Sequence, residues 1–284
     1  MASWTCCDRT LTPDARPLVM GILNVTPDSF SDGGRFADAG DAVECAFRMA
    51  EEGADIVDIG GESTRPGAAP VAVEDELRRV LPAVEALAGR CRAALSIDTR
   101  KAAVAKAALE AGAHIVNDVS ALRHDPDMLP LVAATGAGVI LMHMQGTPAT
   151  MQTAPRYDHV VAEVAAFLNE RMQAAAAGGV ALEQMAVDPG IGFGKTLEHN
   201  LLLLRHLAVL SKLGRPVAVG LSRKRFLGAL TGREVDERLA AGLAGLTAAV
   251  LHGASILRVH DVAASVDAAR VAAAMAGAAE GGAA

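Results

Sequence analysis

One unit recurs along the chain: a short apolar strand, a polar loop that contains Gly or Asp, and a longer segment with apolar residues at helical spacing. We find this unit eight times. The predicted strands cover residues 18–25, 54–61, 94–99, 114–119, 138–144, 185–190, 216–222 and 254–261. Strands that lack hydrophobic alternation, each followed by a helix, indicate a parallel sheet that is covered by helices.

The number of units favours a single-domain α/β fold of the (β/α)8, or TIM, barrel type. A chain of 284 residues is long enough for one such barrel, and its hydrophobic fraction of 51% can supply a large core. A doubly wound open sheet is the competing architecture. We expect the barrel to span residues 17–274, preceded by an arm or disordered start over residues 1–16 and followed by a disordered tail over residues 275–284.

Composition excludes several classes of function. A net charge of −7 argues against a nucleic acid partner, because such binding depends on neutralisation of phosphates by Lys and Arg. No stretch has the run of 18 or more uncharged apolar residues that a membrane span needs, and the start lacks the pattern of a signal peptide. The four cysteines show no metal-binding spacing. We expect a soluble, cytoplasmic protein with no membrane partner, and a small anionic substrate remains possible.

Polar side chains end nearly every predicted strand. They are Asn24, Asp58, Asp98, Asn117, His143, Asp188, Ser222 with Lys224, and Arg258 with His260. In a (β/α)8 barrel the carboxyl ends of the strands meet at one face, where the following loops build the active site. One polar strand end can cap a helix, but eight converging polar ends would be costly without a ligand. The pattern therefore predicts a ligand site.

The acidic and amide members of this set suggest a flat heterocycle with several N–H donors. Asp98 and Asp188 can accept pairs of such donors, and Asn117 can recognise a donor and an acceptor together. Each could instead cap the helix that follows it, which is plausible for Asp98 because a helical pattern begins directly after it. The sequence leaves both interpretations open.

The last two units supply cations. Lys224 lies in SRKRF, and Arg258 and His260 alternate with a valine, so that both side chains point the same way and can hold an anion. Loops seven and eight of (β/α)8 barrels commonly bind phosphate. The alternative for His260 is a surface histidine that is hydrogen-bonded to Asp261.

Two other features have competing interpretations. GIGFGKT over residues 190–196 has the wrong spacing for a Walker A loop, so its glycines more plausibly allow close approach to a ligand, with Phe193 as an apolar wall. His143 invites assignment as a catalytic base, but packing against a ligand ring or the barrel rim fits a lone histidine better.

Seven motifs follow in one order along residues 17–270: NVTPDSFSDGG, GGESTRPG, SIDT, VNDV, DPGIGFGK, SRKRF and RVHD. In this set the chain resembles the dihydropteroate synthase family. The resemblance implies a (β/α)8 barrel that displaces diphosphate from (7,8-dihydropterin-6-yl)methyl diphosphate with the amine of p-aminobenzoate, which yields 7,8-dihydropteroate. It also implies a homodimer.

The resemblance further assigns roles to single residues. Asn24 would be the one protein ligand of a magnesium ion, whose other ligands are diphosphate oxygens and water. Asp32 and Arg65 would belong to loops that close over the substrates and complete the p-aminobenzoate pocket. Arg258 and His260 would bind the diphosphate.

Pterin binding is implied for a second group of residues. It comprises Thr64, Asp98, Asn117, Asp188 and Lys224. The contact of Arg225 stays uncertain, because some family members carry serine at this position. Two rival functions remain: a pterin-binding methyltransferase module on the same barrel, which would lack the first two loop motifs, and a non-catalytic pterin-binding homologue.

Overall fold

A computed structural model describes residues 2–25, 39–63, 67 and 69–277 of the chain. Within these ranges eight parallel strands form one sheet, and two shorter strands form an antiparallel hairpin near the N-terminus. The hairpin strands are β1 (Trp4–Cys6) and β2 (Arg9–Leu11). The sheet strands are β3 (Leu18–Asn24), β4 (Ile56–Gly60), β5 (Ala94–Asp98), β6 (Ile115–Asp118), β7 (Gly138–Met142), β8 (Met185–Asp188), β9 (Ala218–Gly220) and β10 (Ile256–Val259).

The sheet closes into a barrel. Its strands are hydrogen-bonded in the order β8-β7-β6-β5-β4-β3-β10-β9, and a parallel bridge between Val187 and Val217 joins the two ends. The Val187 backbone N–H donates to the carbonyl of Pro216 at 2.9 Å across this join. Closure confirms the predicted (β/α)8 barrel and excludes the open doubly wound sheet. Each strand lies within the range predicted for it.

Helices follow the strands and cover the outside of the barrel. The helices are α1 (Ala39–Glu51), α2 (Val73–Leu87), α3 (Ala102–Glu110), α4 (Met128–Thr135), α5 (Val160–Ala177), α6 (Leu197–Arg205), α7 (Leu207–Ser211), α8 (Arg225–Thr231), α9 (Leu239–Leu251) and α10 (Val262–Gly277). The large apolar core lies between these helices and the outward faces of the strands. Within the described part of the chain, none of the helices has the length and apolar character of a membrane span.

The interior of the barrel holds a second apolar cluster, to which each of the eight strands contributes. Its strand members include Met20, Ile56, Ala94, Ile115, Ile140, Ala186, Ala218 and Ile256. Branched and small side chains pack together in this layer, as the tapered interior of a barrel requires. The layer lies below the carboxyl ends of the strands. It therefore forms the floor of any site located at those ends.

The hairpin closes the opposite end of the barrel. The indole of Trp4 is fully buried against the interior cluster, and its Nε1 donates to the carbonyl of Gln184 at 2.7 Å. Cys6 is buried beside Gly138, and the backbone N–H of Cys7 donates to the Gly136 carbonyl at 2.8 Å. Within the expected N-terminal arm, the hairpin of residues 4–11 therefore forms an ordered plug.

The C-terminal boundary differs slightly from the prediction. Helix α10 continues to Gly277, three residues into the segment predicted as a disordered tail, although its last buried residue is Ala272. Residues 278–284 lie outside the described residues.

We predict that Trp4→Ala lowers the free energy of unfolding by about 3–5 kcal/mol, because it leaves a cavity under the barrel floor. Trp4→Phe keeps most of the packing and loses the indole hydrogen bond, so it should cost about 1–2 kcal/mol. Equilibrium urea unfolding followed by circular dichroism measures both values. If Trp4→Ala unfolds within about 0.5 kcal/mol of the wild type, a range typical of surface substitutions, the hairpin does not plug the barrel.

Candidate active site

Polar residues lie two positions beyond the apolar floor on several strands, toward the carboxyl ends. Side chains alternate along a strand, so the residues two positions after the floor also point into the barrel. At these positions the strands carry Ile22, Asp58, Ser96, Asn117, Met142, Asp188, Gly220 and Arg258. Three carboxylate or amide groups and one guanidinium thus replace apolar side chains in a single layer. This layer defines the bottom of a candidate active site.

Asp58 lies at the centre of this layer. Its side chain is fully buried, and Oδ1 accepts from Ser96 Oγ at 2.6 Å. Oδ2 accepts from Asn117 Nδ2 at 3.0 Å and from Arg258 Nε at 2.6 Å. A single carboxylate therefore links strands β4, β5, β6 and β10.

Arg258 connects Asp58 to the next layer towards the mouth. Its Nη2 donates to Asp98 Oδ2 at 2.7 Å. Burial alone would lower the pKa of Arg258, but the carboxylates of Asp58 and Asp98 more than offset this effect and hold the pKa above its usual range. Burial likewise raises the pKa of Asp98 to about 7, although the guanidinium of Arg258 opposes the shift. Arg258 is therefore a permanent cation that is turned into the barrel.

Asn24 lies next to Asp98 across the small residue Gly60. A methyl group placed on Gly60 would come within 3.8 Å of Asn24 Oδ1 and 3.7 Å of Asp98 Oδ2. Strand pairing aligns Asn24 with Gly60 and Gly60 with Asp98, so the three strand ends lie at one height. The absence of a side chain at Gly60 leaves room between the two polar groups.

Lys224 is a further polar residue at this end of the barrel. Its Nζ lies 4.8 Å from the centre of the Phe193 ring and donates to the carbonyl of Ile191. A methyl group on Gly220 would lie 3.7 Å from Arg258 Cβ and 3.8 Å from Lys224 Nζ, so Lys224 Nζ lies close to the base of the Arg258 side chain. Burial lowers the pKa of Lys224 to about 8, with the Asp188 carboxylate acting in the opposite direction.

Asp188 is oriented by the loop that follows its strand. Its Oδ1 accepts from the backbone N–H of Gly190 at 2.6 Å, and burial raises its pKa while Lys224 lowers it. Gly190 has a φ of +66° and lies so close to the carbonyl of His143 that a Cβ would stand 1.9 Å from that oxygen. A residue without a side chain is required here.

A buried lysine and histidine brace the same loop. Lys195 is 4% exposed, and its Nζ lies 3.0 Å from His143 Nδ1 and donates to the Phe193 carbonyl at 2.9 Å. Burial lowers the pKa of Lys195 to about 7, and burial together with Lys195 lowers the pKa of His143 to about 3. His143 also packs edge-on against Phe167. The structure therefore places His143 in the rim packing that the sequence favours over a catalytic base.

His260 lies beyond the end of β10. Its Nδ1 is 3.0 Å from Ser222 Oγ, which also accepts from the His260 backbone N–H at 3.3 Å. It lines a groove of about 400 Å³ that also contains two arginines, each within 4.0 Å of a carboxylate of the same groove. His260 thus borders an outer groove of mixed charge, whereas Arg258 points inward. Asp261 forms an ion pair with Arg223 at 3.1 Å. A hydrogen bond between His260 and Asp261, the predicted alternative, would have to compete with this ion pair.

Three predicted site residues, Asp32, Thr64 and Arg65, lie outside the described residues. The residue that comes two positions before Thr64 is held by ion pairs. Glu62 bonds to Arg100 at 3.0 Å and to Lys101, both of which follow strand β5. Arg225, whose contact the sequence left uncertain, is exposed at the start of α8.

The structure gathers the other predicted residues around one mouth. These are Asn24, Asp98, Asn117, Asp188, Phe193, Lys224, Arg258 and His260. Their roles toward a ligand stay predictions, but their positions bring acceptor oxygens and cations together at the carboxyl ends of the strands. A profile of the family described as "Pterin binding enzyme" matches residues 20–260. The chain belongs to the pterin binding enzyme family.

Relatives within the family refine this assignment. The dihydropteroate synthase of Escherichia coli K12 is 50% identical over 257 residues, which are 90% of this chain and 91% of the relative. The Yersinia pestis dihydropteroate synthase, solved with a sulfonamide drug complex, superposes with a TM-score of 0.92 at 46% identity and covers 97% of this chain and 100% of its own. The Xanthomonas albilineans enzyme with 7,8-dihydropteroate gives 0.88 at 49% identity, with 98% and 100% covered.

Sequence reasoning missed two features of this pterin binding enzyme. Asp58 was noted as a polar strand end but received no role, although a charge inside the apolar run IVDIG marks an inward position above the floor. The Lys195–His143 pair was missed because the two residues are 52 positions apart and neither lies in a recognisable pairing motif. Burial of Lys195 becomes evident only from the fold.

We predict that Lys195 makes stability depend on pH. Since its pKa is lowered to about 7 in the folded state, the unfolded chain binds more protons above that pH, and the free energy of unfolding rises with pH. Between about pH 7 and 8.5 the slope of wild type minus Lys195→Met should approach about 1.4 kcal/mol per pH unit. Urea unfolding across this range measures it, with the exposed Lys212→Met as control. Equal slopes in wild type and Lys195→Met would contradict the prediction.

Proposed function

We propose that this protein catalyses the dihydropteroate synthase reaction, in which p-aminobenzoate displaces diphosphate from a dihydropterin methyl diphosphate. The observation that carries the proposal is that one barrel mouth brings carboxylate and amide oxygens together with the cations Lys224 and Arg258. Asp98, Asn117 and Asp188 offer oxygens suited to the N–H groups of a pterin. The identity to dihydropteroate synthases over about nine-tenths of the chain supports the same reaction.

The chemistry follows from the charges. An arylamine is neutral and nucleophilic near pH 7, so the demanding step is departure of the anionic leaving group. Arg258 lies above the floor and His260 lies at the outer rim, so these two groups can stabilise negative charge that develops on the diphosphate. Asp98, Asn117, Asp188 and Lys224 hold the pterin ring as its exocyclic carbon becomes positive. Loops that include Asp32 and Arg65 would exclude water.

Magnesium is part of the proposal, with Asn24 as its protein ligand. The Asn24 amide oxygen borders the space above Gly60, and hard oxygen donors suit this ion. Diphosphate oxygens and water would supply its other ligands, because magnesium commonly binds through one or two protein groups together with substrate phosphate. When bound, the ion would supply charge stabilisation to the leaving diphosphate.

We further propose a cytoplasmic homodimer. Exposed apolar side chains on the last three helices, among them Leu230, Leu239, Leu251, Val271 and Met275, supply a surface for a second copy. The four cysteines are free thiols, as expected in a reducing compartment. Sedimentation measurements would test the dimer.

The direct test is to mix the protein with both substrates and magnesium and to measure release of diphosphate. We expect release that requires p-aminobenzoate, that stops when a chelator removes the metal and that returns with added magnesium. Binding of the pterin without release would indicate the rival non-catalytic homologue. Transfer of a methyl group instead would indicate the rival methyltransferase module.

We predict that His260→Ala lowers kcat by about 100-fold, the usual effect of removing one group that stabilises transition-state charge, and leaves pterin affinity nearly unchanged. Steady-state diphosphate release gives kcat, and calorimetry gives the affinity. His252→Ala, which removes an exposed histidine at the end of α9, should behave as wild type. An unchanged kcat for His260→Ala would refute its proposed role.

Asp188→Ala should act on binding instead. Losing a buried carboxylate acceptor is expected to raise the pterin Kd by about ten- to a hundredfold. The same calorimetric titration measures it. Retention of wild-type affinity would be incompatible with recognition of the ring by Asp188. Arg258→Ala is a poorer test of the leaving-group role, because it also strips Asp58 and Asp98 of their shared cation.

A further inference from the structure

We infer that Asp58 is a positioning residue for the pterin site: it turns the Asn117 amide so that the carbonyl oxygen faces the ligand, and it fixes Arg258 beside Asp98. The inference rests on the proposed function and deepens it. Asp58 itself is fully buried in the same layer as Asn117 and Arg258. It acts through Asn117 and Arg258, not by contact with the substrate.

The orientation of Asn117 follows from the chemistry of the two groups. An ionised carboxylate accepts hydrogen bonds and cannot donate them, so the side-chain nitrogen of Asn117 must be the atom 3.0 Å from Asp58 Oδ2. The amide oxygen is then directed away from Asp58. Within the described part of the chain, no protein donor is hydrogen-bonded to this oxygen. Asn117 therefore presents an acceptor, although its side chain could in principle present either group.

The same division recurs in the two neighbouring acids. Asp98 uses Oδ2 for Arg258, and Asp188 uses Oδ1 for the Gly190 backbone N–H. In the residues that the structure describes, the second oxygen of each carboxylate has no protein donor. The mouth thus offers acceptors from Asp98, Asn117 and Asp188, which matches a ring edge with several N–H groups. A reversed Asn117 would place its own N–H groups against those of the ligand.

The second task of Asp58 concerns Arg258. Its Nε is held by Asp58 Oδ2 at 2.6 Å while its Nη2 reaches Asp98 Oδ2 at 2.7 Å. Two carboxylates in different layers fix the plane of a rigid guanidinium more firmly than either would alone. Arg258 in turn keeps Asp98 oriented with one oxygen toward the mouth. Without Asp58, the Asn117 amide would lose the acceptor that orients it, and the Arg258 guanidinium would lose one of its two carboxylates.

The test compares Asp58→Asn with Asp118→Asn. Asp118 is a matched control because it is equally buried on β6, but its bonds go to Ser120 and Leu122 in its own loop. We expect Asp58→Asn to raise the Kd of the unreactive probe 6-hydroxymethylpterin by about ten- to a hundredfold, as measured by calorimetry. The KM for the dihydropterin diphosphate should rise in parallel. Asp118→Asn should leave the Kd of the probe within about threefold of the wild type.

A reciprocal exchange provides a rescue that a merely structural role would not produce. In the double variant Asp58→Asn, Asn117→Asp the amide and the carboxylate change places, so the hydrogen bond between positions 58 and 117 survives and an acceptor still faces the ligand, whereas Arg258 Nε loses its acceptor at position 58. We expect the double variant to bind the probe more tightly than Asp58→Asn but less tightly than the wild type. Additive losses in the double variant would overturn the inference.

Nuclear magnetic resonance of the wild type keeps the inference testable if Asp58→Asn does not fold. The Asn117 side-chain amide protons should be protected from exchange before the probe is added, since one of them bonds to Asp58. Protection that arises only with the probe would overturn the inference. Wild-type affinity in Asp58→Asn would do the same while leaving the proposed function intact, whereas a wild type that neither binds pterin nor releases diphosphate would defeat the proposed function.

Discussion

The site depends on a buried ion pair between Asp58 and Arg258. Two charges at the bottom of a barrel mouth are costly to remove from water unless each is paired and hydrogen-bonded. Here the carboxylate receives bonds from Ser96, Asn117 and Arg258, and the guanidinium also bonds to Asp98. Desolvation is therefore offset by a closed set of charge-assisted bonds. Replacing Arg258 alone would leave two carboxylates without their cation. The shared bonds therefore link the geometry of four strands.

The barrel makes such a set possible by layering. One layer of apolar side chains fills the interior and supports the polar layer two residues further along each strand. The hairpin of residues 4–11 closes the other end of the barrel, so it shields the apolar layer from water on that side. Rigid strands hold the acids, the amide and Arg258, whereas Lys224 and Phe193 come from loops. The parts that must keep a fixed hydrogen-bond pattern thus lie on the stiffest elements.

The sequence was a good guide to the fold because the strand–helix unit repeats eight times, and each repeat supports the others. The sequence also predicted the polar strand ends, because a parallel barrel brings the carboxyl ends of its strands together. It could not reveal which of these side chains are hydrogen-bonded to each other. The inward turn of Arg258 toward Asp58 depends on side-chain geometry across 200 residues, and the burial of Lys195 depends on the loop path after β8.

The N-terminal plug was missed for a related reason. Its two strands have three residues each, too few for a period of two to be evident, and Trp4 gains its partners from Gln184, 180 positions away. Short elements that are stabilised by distant contacts carry little local pattern. In the last two units, spacing identified the cations, but it did not separate the inward Arg258 from the rim histidine His260.

A structure of this chain with a bound pterin and p-aminobenzoate tests the central claim most directly. We expect ring N–H groups of the pterin within hydrogen-bond distance of Asp98 Oδ1, Asn117 Oδ1 and Asp188 Oδ2, with the exocyclic carbon turned toward His260. A pterin bound away from the carboxyl ends of the strands, or one that contacts Asn117 through its nitrogen, would contradict the account.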